Sequence, residues 1–251
     1  MDMTEQKNDF GVGSVEQNII RMAVPMTVAQ ILNLLYNLVD RMYIGHIPGA
    51  SSLALTGVGI TFPIISMITA FANLFGMGGA PLCSMARGRR DYDAAKRYMQ
   101  NAFWMLLAAG VVLTVTGYVI EKPLLYALGA SSVTYPYASS YLRIYLLGNM
   151  FVMVGIGMNP FINAQGFGTM GMVTVGLGAL VNIILDPLFI FVFHMGVEGA
   201  AIATIIAQFL SALWVLFFLT GEKPDLRLKI CWRKPEFTIV KEIVSLGLSN
   251  F

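Results

Sequence analysis

Charge is what this sequence has least of: Asp, Glu, Lys and Arg make up 12% of 251 residues, against 57% hydrophobic ones. With a mean hydropathy of +0.70, the chain cannot cover a soluble globule and reads as an integral membrane protein. Cysteine is nearly absent. Cys83 falls in an apolar run and Cys231 in a basic one, and neither has the company that a disulfide framework or a thiolate metal site requires. The two histidines, His46 and His194, sit at expected helix ends with no Ser or Cys at a motif-like spacing, which argues against a hydrolase. They would form a zinc site only by converging with Glu198, and a lone interfacial His is ordinarily just solvated. A net charge of +2 points to no acidic partner, and nothing supports nucleic-acid binding. The polar start, Met1 to Glu16, and the length of the first apolar run fit no cleavable signal. A water-channel pore would want two half-helix motifs, whereas Asn159-Pro160 stands alone.

What is present is a series of long apolar runs. They predict helices over about 19–47, 52–86, 99–120, 135–164, 172–193 and 197–220, each long enough to cross a hydrocarbon core of ~30 Å. Residues 87–97 read as a charged loop, Glu121-Lys122-Pro123 as the end of the third helix, and 124–132 as a short interfacial segment. Gly76, Gly78, Gly79 and Ala80 read as a close-packing surface. The expected organisation is an N-terminal segment 1–18, a six-helix lobe 19–220, a linker 221–242, and the start of a seventh transmembrane helix at 243–251. That last run resembles the opening of the first helix: Asn18 to Pro25 and Glu242 to Ser249 share a polar, apolar, apolar, polar pattern. Nine residues cannot span a bilayer at ~1.5 Å each, so the chain is expected to be the first half of a two-lobed protein.

Sidedness follows from the basic residues. Lys7, Arg21, the group Arg87, Arg89, Arg90, Lys96 and Arg97, and the group Lys223, Arg227, Lys229, Arg233, Lys234 and Lys241 fall on one side of a six-helix path. Only Arg41, Lys122 and Arg143 fall on the other, Arg143 expected to snorkel outward. The positive-inside rule then places the N-terminus and the linker in the cytoplasm.

The first helix carries a polar stripe, Gln30, Asn33, Asn37 and Asp40, spaced to share one face. In lipid such a stripe must turn toward protein or a wet cavity. The bland alternative is that Asp40 pairs with Arg41 as a helix-end anchor. By depth, Asp40, Asp186 and Thr204 lie at one level, ~10 Å below the outer surface, on three different helices. Asn182 and Asp186 share a face, and Pro187 cannot donate to the Ile183 carbonyl, which bends the helix there. A reading in which Asp186 ties helices together stays open beside an oxygen-rich site suited to a shared proton or a hard cation. Tyr141, Tyr145 and Asn149 form a second one-sided stripe, while Tyr135 and Tyr137 read as interface anchors.

The runs Asp40-Arg41-Met42-Tyr43-Ile44-Gly45, Arg87-Gly88-Arg89-Arg90-Asp91, Asn163-Ala164-Gln165-Gly166, Asn182-Ile183-Ile184-Leu185-Asp186-Pro187 and Gly199-Ala200-Ala201-Ile202-Ala203-Thr204 resemble the motifs of the multidrug and toxic compound extrusion (MATE) transporters, in order along the whole chain. The resemblance implies an all-α integral membrane fold: a six-helix transmembrane lobe, the first of two pseudo-symmetric lobes of a twelve-helix transporter in the cytoplasmic membrane. It implies an antiporter, not an enzyme, exporting small organic, often cationic or amphipathic, compounds in exchange for H+ or Na+, with no cofactor beyond that coupling ion. Its partners would be its substrates, membrane lipids and its own second lobe. The paired acids look like the DinF-like branch in particular. Carried over by residue, the cation or proton site falls on Asp40, Asn182, Asp186 and Thr204, the same four residues binding Na+ if sodium is the coupling ion. Tyr36 lies adjacent, Tyr141 is a further match, and Asn33 and Asn37 complete the stripe toward the substrate cavity. Tyr36, Tyr141 and methionines are expected to line that cavity. A lipid-linked oligosaccharide flippase of related architecture is the alternative; it would want a cationic groove, for which this lobe offers only Arg143.

Overall fold

The computed structural model describes residues 14–47, 51–229 and 236–250. Lys7, Cys231, Arg233 and Lys234, and with them residues 1–13 of the expected N-terminal segment, lie outside the described residues. Among the described residues every regular element is helical: α1 (Val15–Ile44), α2 (Ser51–Gly88), α3 (Tyr92–Ala127), α4 (Tyr135–Leu147), α5 (Asn149–Ala164), α6 (Gly168–Pro187), α7 (Gly196–Thr220) and α8 (Phe237–Gly247). A π-helical turn, Leu188–Val192, continues α6, and a 3-10 turn, Leu248–Asn250, continues α8. Five spans cross as long apolar helices, and α4 with α5 makes a sixth, bent by 59°. The lobe is thus an all-α, multi-pass membrane bundle.

The helices run past the limits that hydropathy sets. α3 starts at Tyr92, inside the expected charged loop, because the Asp91 side chain caps it by accepting from the Ala94 N–H at 2.9 Å. Its first turns then bury Ala95 and Met99. At the other end Pro123 does not stop α3, which continues to Ala127 with Leu125 fully buried. The predicted helix 135–164 is two helices, divided at Gly148. α8 begins at Phe237, six residues before the expected start of the seventh helix, so the last part of the expected linker is helical.

Glycine sets the tightest contacts. A Cβ on Gly76 would lie 2.5 Å from the Gly157 carbonyl oxygen, so α2 and α5 meet backbone to backbone. Gly78 likewise meets the Ile243 carbonyl of α8, and Gly79 meets the Phe161 ring. Around these contacts Met99, Leu106, Met153, Phe161 and Leu219 form the dry centre of the bundle. α1 is the exception. It packs chiefly along α6 and buries only Ala29 and Ile44 of its thirty residues.

On the basic-loop face, the segment after α7 is folded rather than loose. Leu226 donates its N–H to the buried Gln165 Oε1 at 2.9 Å, and Arg87 pairs with Asp225 at 2.6 Å. At the opposite face Arg143 does not snorkel freely. Its Nε pairs at 2.7 Å with the buried carboxylate of Glu121, which also accepts from Ser139.

Candidate functional site

The candidate site forms where α1 crosses α6 and α7. On α6, Asn182 and Asp186 are one helical turn apart and both buried, and Asn182 Nδ2 donates to Asp186 Oδ1 at 3.1 Å. The same nitrogen reaches Thr204 Oγ1 of α7 at 3.4 Å. From α1, Asp40 brings its carboxyl within hydrogen-bonding reach of the Asp186 carboxyl. No ion pair joins Asp40 to its neighbour Arg41; the Arg41 guanidinium lies 4.1 Å from the centre of the Phe62 ring instead. From α4, the buried Tyr141 side chain lies beside Thr204, and its ring stacks on Tyr145 at 6.3 Å. Tyr36 lies near the two acids and near Tyr145.

Three acceptor oxygens in this cluster are buried and have no donor: Asp40 Oδ1, Asp186 Oδ2 and Asn182 Oδ1. Such atoms carry a desolvation cost that a proton or a hard cation relieves. The backbone past them is irregular. Pro187 offers no N–H to Ile183, and the chain relaxes into the π turn, closed by the Phe193 N–H on the Leu188 carbonyl at 2.9 Å. α7 presses on that turn so closely that a Cβ on Gly199 would lie 2.8 Å from the Phe189 backbone.

Toward the basic-loop face lies a cavity of about 510 Å³. Its α1 wall runs from Met26 to Tyr36 and ends one turn short of Asp40. Tyr36, Asn182 and Thr204 belong to both the cavity wall and the acid cluster. Gln30 and Asn33 also line the cavity, but Asn37 turns back along α1 and donates to the Asn33 carbonyl at 2.7 Å. Tyr141 does not line it: the break at Gly148 seats that ring behind the wall, against Tyr145 and Thr204. Of the methionines, Met26, Met77 and Met172 face the cavity.

Sequence reasoning missed part of this wall. Asn73, Asn159, Asn163 and Gln208 line the cavity, and Asn159 Oδ1 and Asn163 Oδ1 are buried without partners. The available signal was an amide inside an apolar helix, repeated at a spacing of four for Asn159 and Asn163. Among the described residues no Lys, Arg, Asp or Glu lines the cavity. The histidine reading gains no geometry: Glu198 accepts from Ser140 at 3.0 Å, and His46 meets the Met42 carbonyl.

The family model described as MatE matches residues 25–188. Curated relatives include the Multidrug export protein MepA of Staphylococcus haemolyticus (strain JCSC1435), 28% identical over 98% of this chain and 54% of its own length. MepA of Staphylococcus saprophyticus is 26% identical over the same shares. Among solved structures, an outward-facing multidrug resistance MATE family transporter of the MOP superfamily superposes with a TM-score of 0.87 at 26% identity, over 99% of this chain and 54% of that one. A MOP superfamily transporter from Pyrococcus furiosus, described as having a binding pocket of reverse polarity that suggests a different function, gives 0.86 at 27% identity, again over 99% and 54%. The chain therefore spans about half the length of the curated relatives it matches. Since the family match takes in both Asp40 on α1 and Asp186 on α6, and the fold agrees along the lobe, this chain belongs to the MatE family.

Proposed function

We propose that this lobe is the ion-coupling half of an antiporter that exports small organic, often cationic, compounds across the cytoplasmic membrane in exchange for H+ or Na+. One observation carries the reading: the buried, donor-less oxygens of Asp40, Asp186 and Asn182 stand directly behind a cavity with which they share walls. Two facing carboxyls away from water do not both stay charged without compensation. They share a proton, or they take up a cation whose shell Asn182 and Thr204 complete.

Coupling follows from where α1 packs. It rests mainly on α6, so the Asp40 to Asp186 contact sits on the seam that sets its position. Loading or unloading that contact shifts α1, and with it Tyr36 and Asn33 on the cavity wall. The wall itself suits organic cations: amide oxygens for donors, methionines and Tyr36 for an apolar body, and enough adaptability for breadth. A polyanionic lipid-linked sugar would meet no cationic side chain here, and Arg143, the residue that reading needs, is paired with Glu121 at the far face. The basic loops favour a cytoplasmic N-terminus by the positive-inside rule, and the exposed apolar face of α1 suits lipid or a second lobe.

The test is dye efflux from vesicles carrying the full chain, with pH and Na+ gradients imposed separately. Asp40→Asn is expected to abolish gradient-driven efflux while leaving membrane insertion and detergent behaviour unchanged. Retained coupled efflux in that variant would refute the mechanism.

A further inference from the structure

Tyr141, Tyr145 and Asn149 share one face in sequence spacing, yet the structure separates them. The tyrosines point to the acid cluster, and Asn149 turns the other way, into α3. Asn149 is fully buried at the first position of α5. Its Nδ2 donates to the Gly110 carbonyl at 3.0 Å and to Thr114 Oγ1 at 3.1 Å. Thr114 in turn donates to the Leu146 carbonyl, in the last turn of α4, at 3.3 Å. α3 thus grips the chain on both sides of the Gly148 break through one relay of hydrogen bonds. From the other side α7 wedges the break open: a Cβ on Gly148 would lie 2.5 Å from Ile205. Ile205 is the neighbour of Thr204, so the wedge that enters the break also delivers Thr204 to Tyr141.

We propose that Asn149 and Thr114 are positioning residues for the ion site: they hold the 59° break in the α4 to α5 span at the angle that seats Tyr141, with Tyr145 stacked on it, beside Asp40, Asp186 and Thr204. The inference rests on the coupling role given above to the two acids. Asn149 touches neither the acids nor the cavity, so its effect on the ion passes through the tyrosines alone. The titratable groups facing the ion site are Tyr36 and Asp40 from α1, Tyr141 and Tyr145 from α4, and Asp186 from α6; α7 offers the Thr204 hydroxyl. Thr114 carries no charge, so a change in ion dependence from Thr114→Val has no direct charge origin.

The experiment uses the full chain in proteoliposomes, with efflux driven by whichever ion proves to couple. Thr114→Val removes the hydroxyl without changing side-chain volume, Thr114→Ser keeps it, and Asn149→Leu removes the amide. Thr114→Val loses both bonds of the hydroxyl, the one accepted from Asn149 and the one donated to Leu146, and two hydrogen bonds of ordinary strength predict a rise of about tenfold or more in the half-saturating ion concentration. Asn149→Leu should do the same or more, Thr114→Ser should match the unsubstituted protein, and the KM for dye should stay within about twofold throughout. If Asn149→Leu does not fold, Thr114→Val decides alone. An unchanged ion dependence in folded Thr114→Val overturns the proposal, as does a parallel rise in dye KM, which would mark general loosening. Asp40→Asn run alongside separates the layers. If it keeps coupled efflux, the acid-site reading falls; if it loses coupling while Thr114→Val is silent, only the positioning role falls.

Discussion

Replacing Arg143 by Met isolates the ion pair at the face opposite the basic loops. Glu121 keeps only 5% of its side-chain surface, so its carboxylate depends on partners, and Arg143 Nε at 2.7 Å is the cationic one among the described residues. Breaking a fully buried pair by removing one charge costs about 3–5 kcal/mol. Here the Arg143 side chain is 58% exposed, so solvent already screens the pair, and Ser139 remains bonded to the carboxylate. Those two facts reduce the expected loss to about 2 kcal/mol. The Tyr118 hydroxyl bonds to the Arg143 main-chain carbonyl and is unaffected by the substitution. At ~2–4 °C per kcal/mol for a domain of this size, the thermal midpoint in detergent should fall by about 4–8 °C. Glu121→Gln combined with Arg143→Met should recover most of that loss, because the neutral amide no longer needs a counter-charge and still pairs with Ser139. Efflux should be retained in both, since neither residue lines the cavity. A double variant no more stable than Arg143→Met alone would refute the reasoning, for it would mean that packing of the Arg stem, not charge, holds α3 to α4.

Two glycines of α2 give a matched pair. Gly76→Ala drives a methyl to within 2.5 Å of backbone that cannot step aside and should lower stability by about 1–3 kcal/mol. Gly59→Ala meets nothing within 4 Å and should be neutral or raise the midpoint slightly through helix propensity, worth up to about 1 kcal/mol; equal effects at both positions, read as thermal midpoints, would contradict the packing described. Gln165→Ala leaves the buried Leu226 N–H without its acceptor and should free the strap after α7. Limited trypsinolysis should then cut after Arg227 several-fold faster than in the unsubstituted chain, and an unchanged rate would mean that Arg87 to Asp225 and the buried Leu226 and Leu228 hold the strap without it.

The spans were legible because hydropathy measures the one thing the bilayer selects. Where lipid ends and helix does not, the same signal misleads. Arg89 to Lys96 and Glu121 to Pro123 look like loop and terminus, yet α3 runs through Lys96 and through Pro123, held by the Asp91 cap and by buried Leu125. The break at Gly148 had no signal of its own. A single Gly in a long apolar run is ordinary, and what opens this one is Ile205, fifty-seven residues away, and Thr114 on another helix. For the same reason Tyr141 looked like a cavity residue: three residues at a spacing of four share a face only on an unbroken helix.

The candidate site was more legible than its surroundings, and the α1 stripe shows why. Asn37 and Asp40 stand on the same face of the same helix, but only one of them needs another helix. Asn37 carries its own donor and satisfies it one turn back, on the Asn33 carbonyl. An ionised Asp40 has no hydrogen to give, and the helix interior offers it carbonyls, which are acceptors too. A carboxylate in a lipid-facing helix is therefore the side chain that must look outward, and Asp186, one turn beyond Asn182 at matching depth on α6, stands where it looks. Amides inside membrane helices hide their purpose by bonding locally; acids cannot, which makes spacing and depth informative for the acid pair and uninformative for the cavity wall.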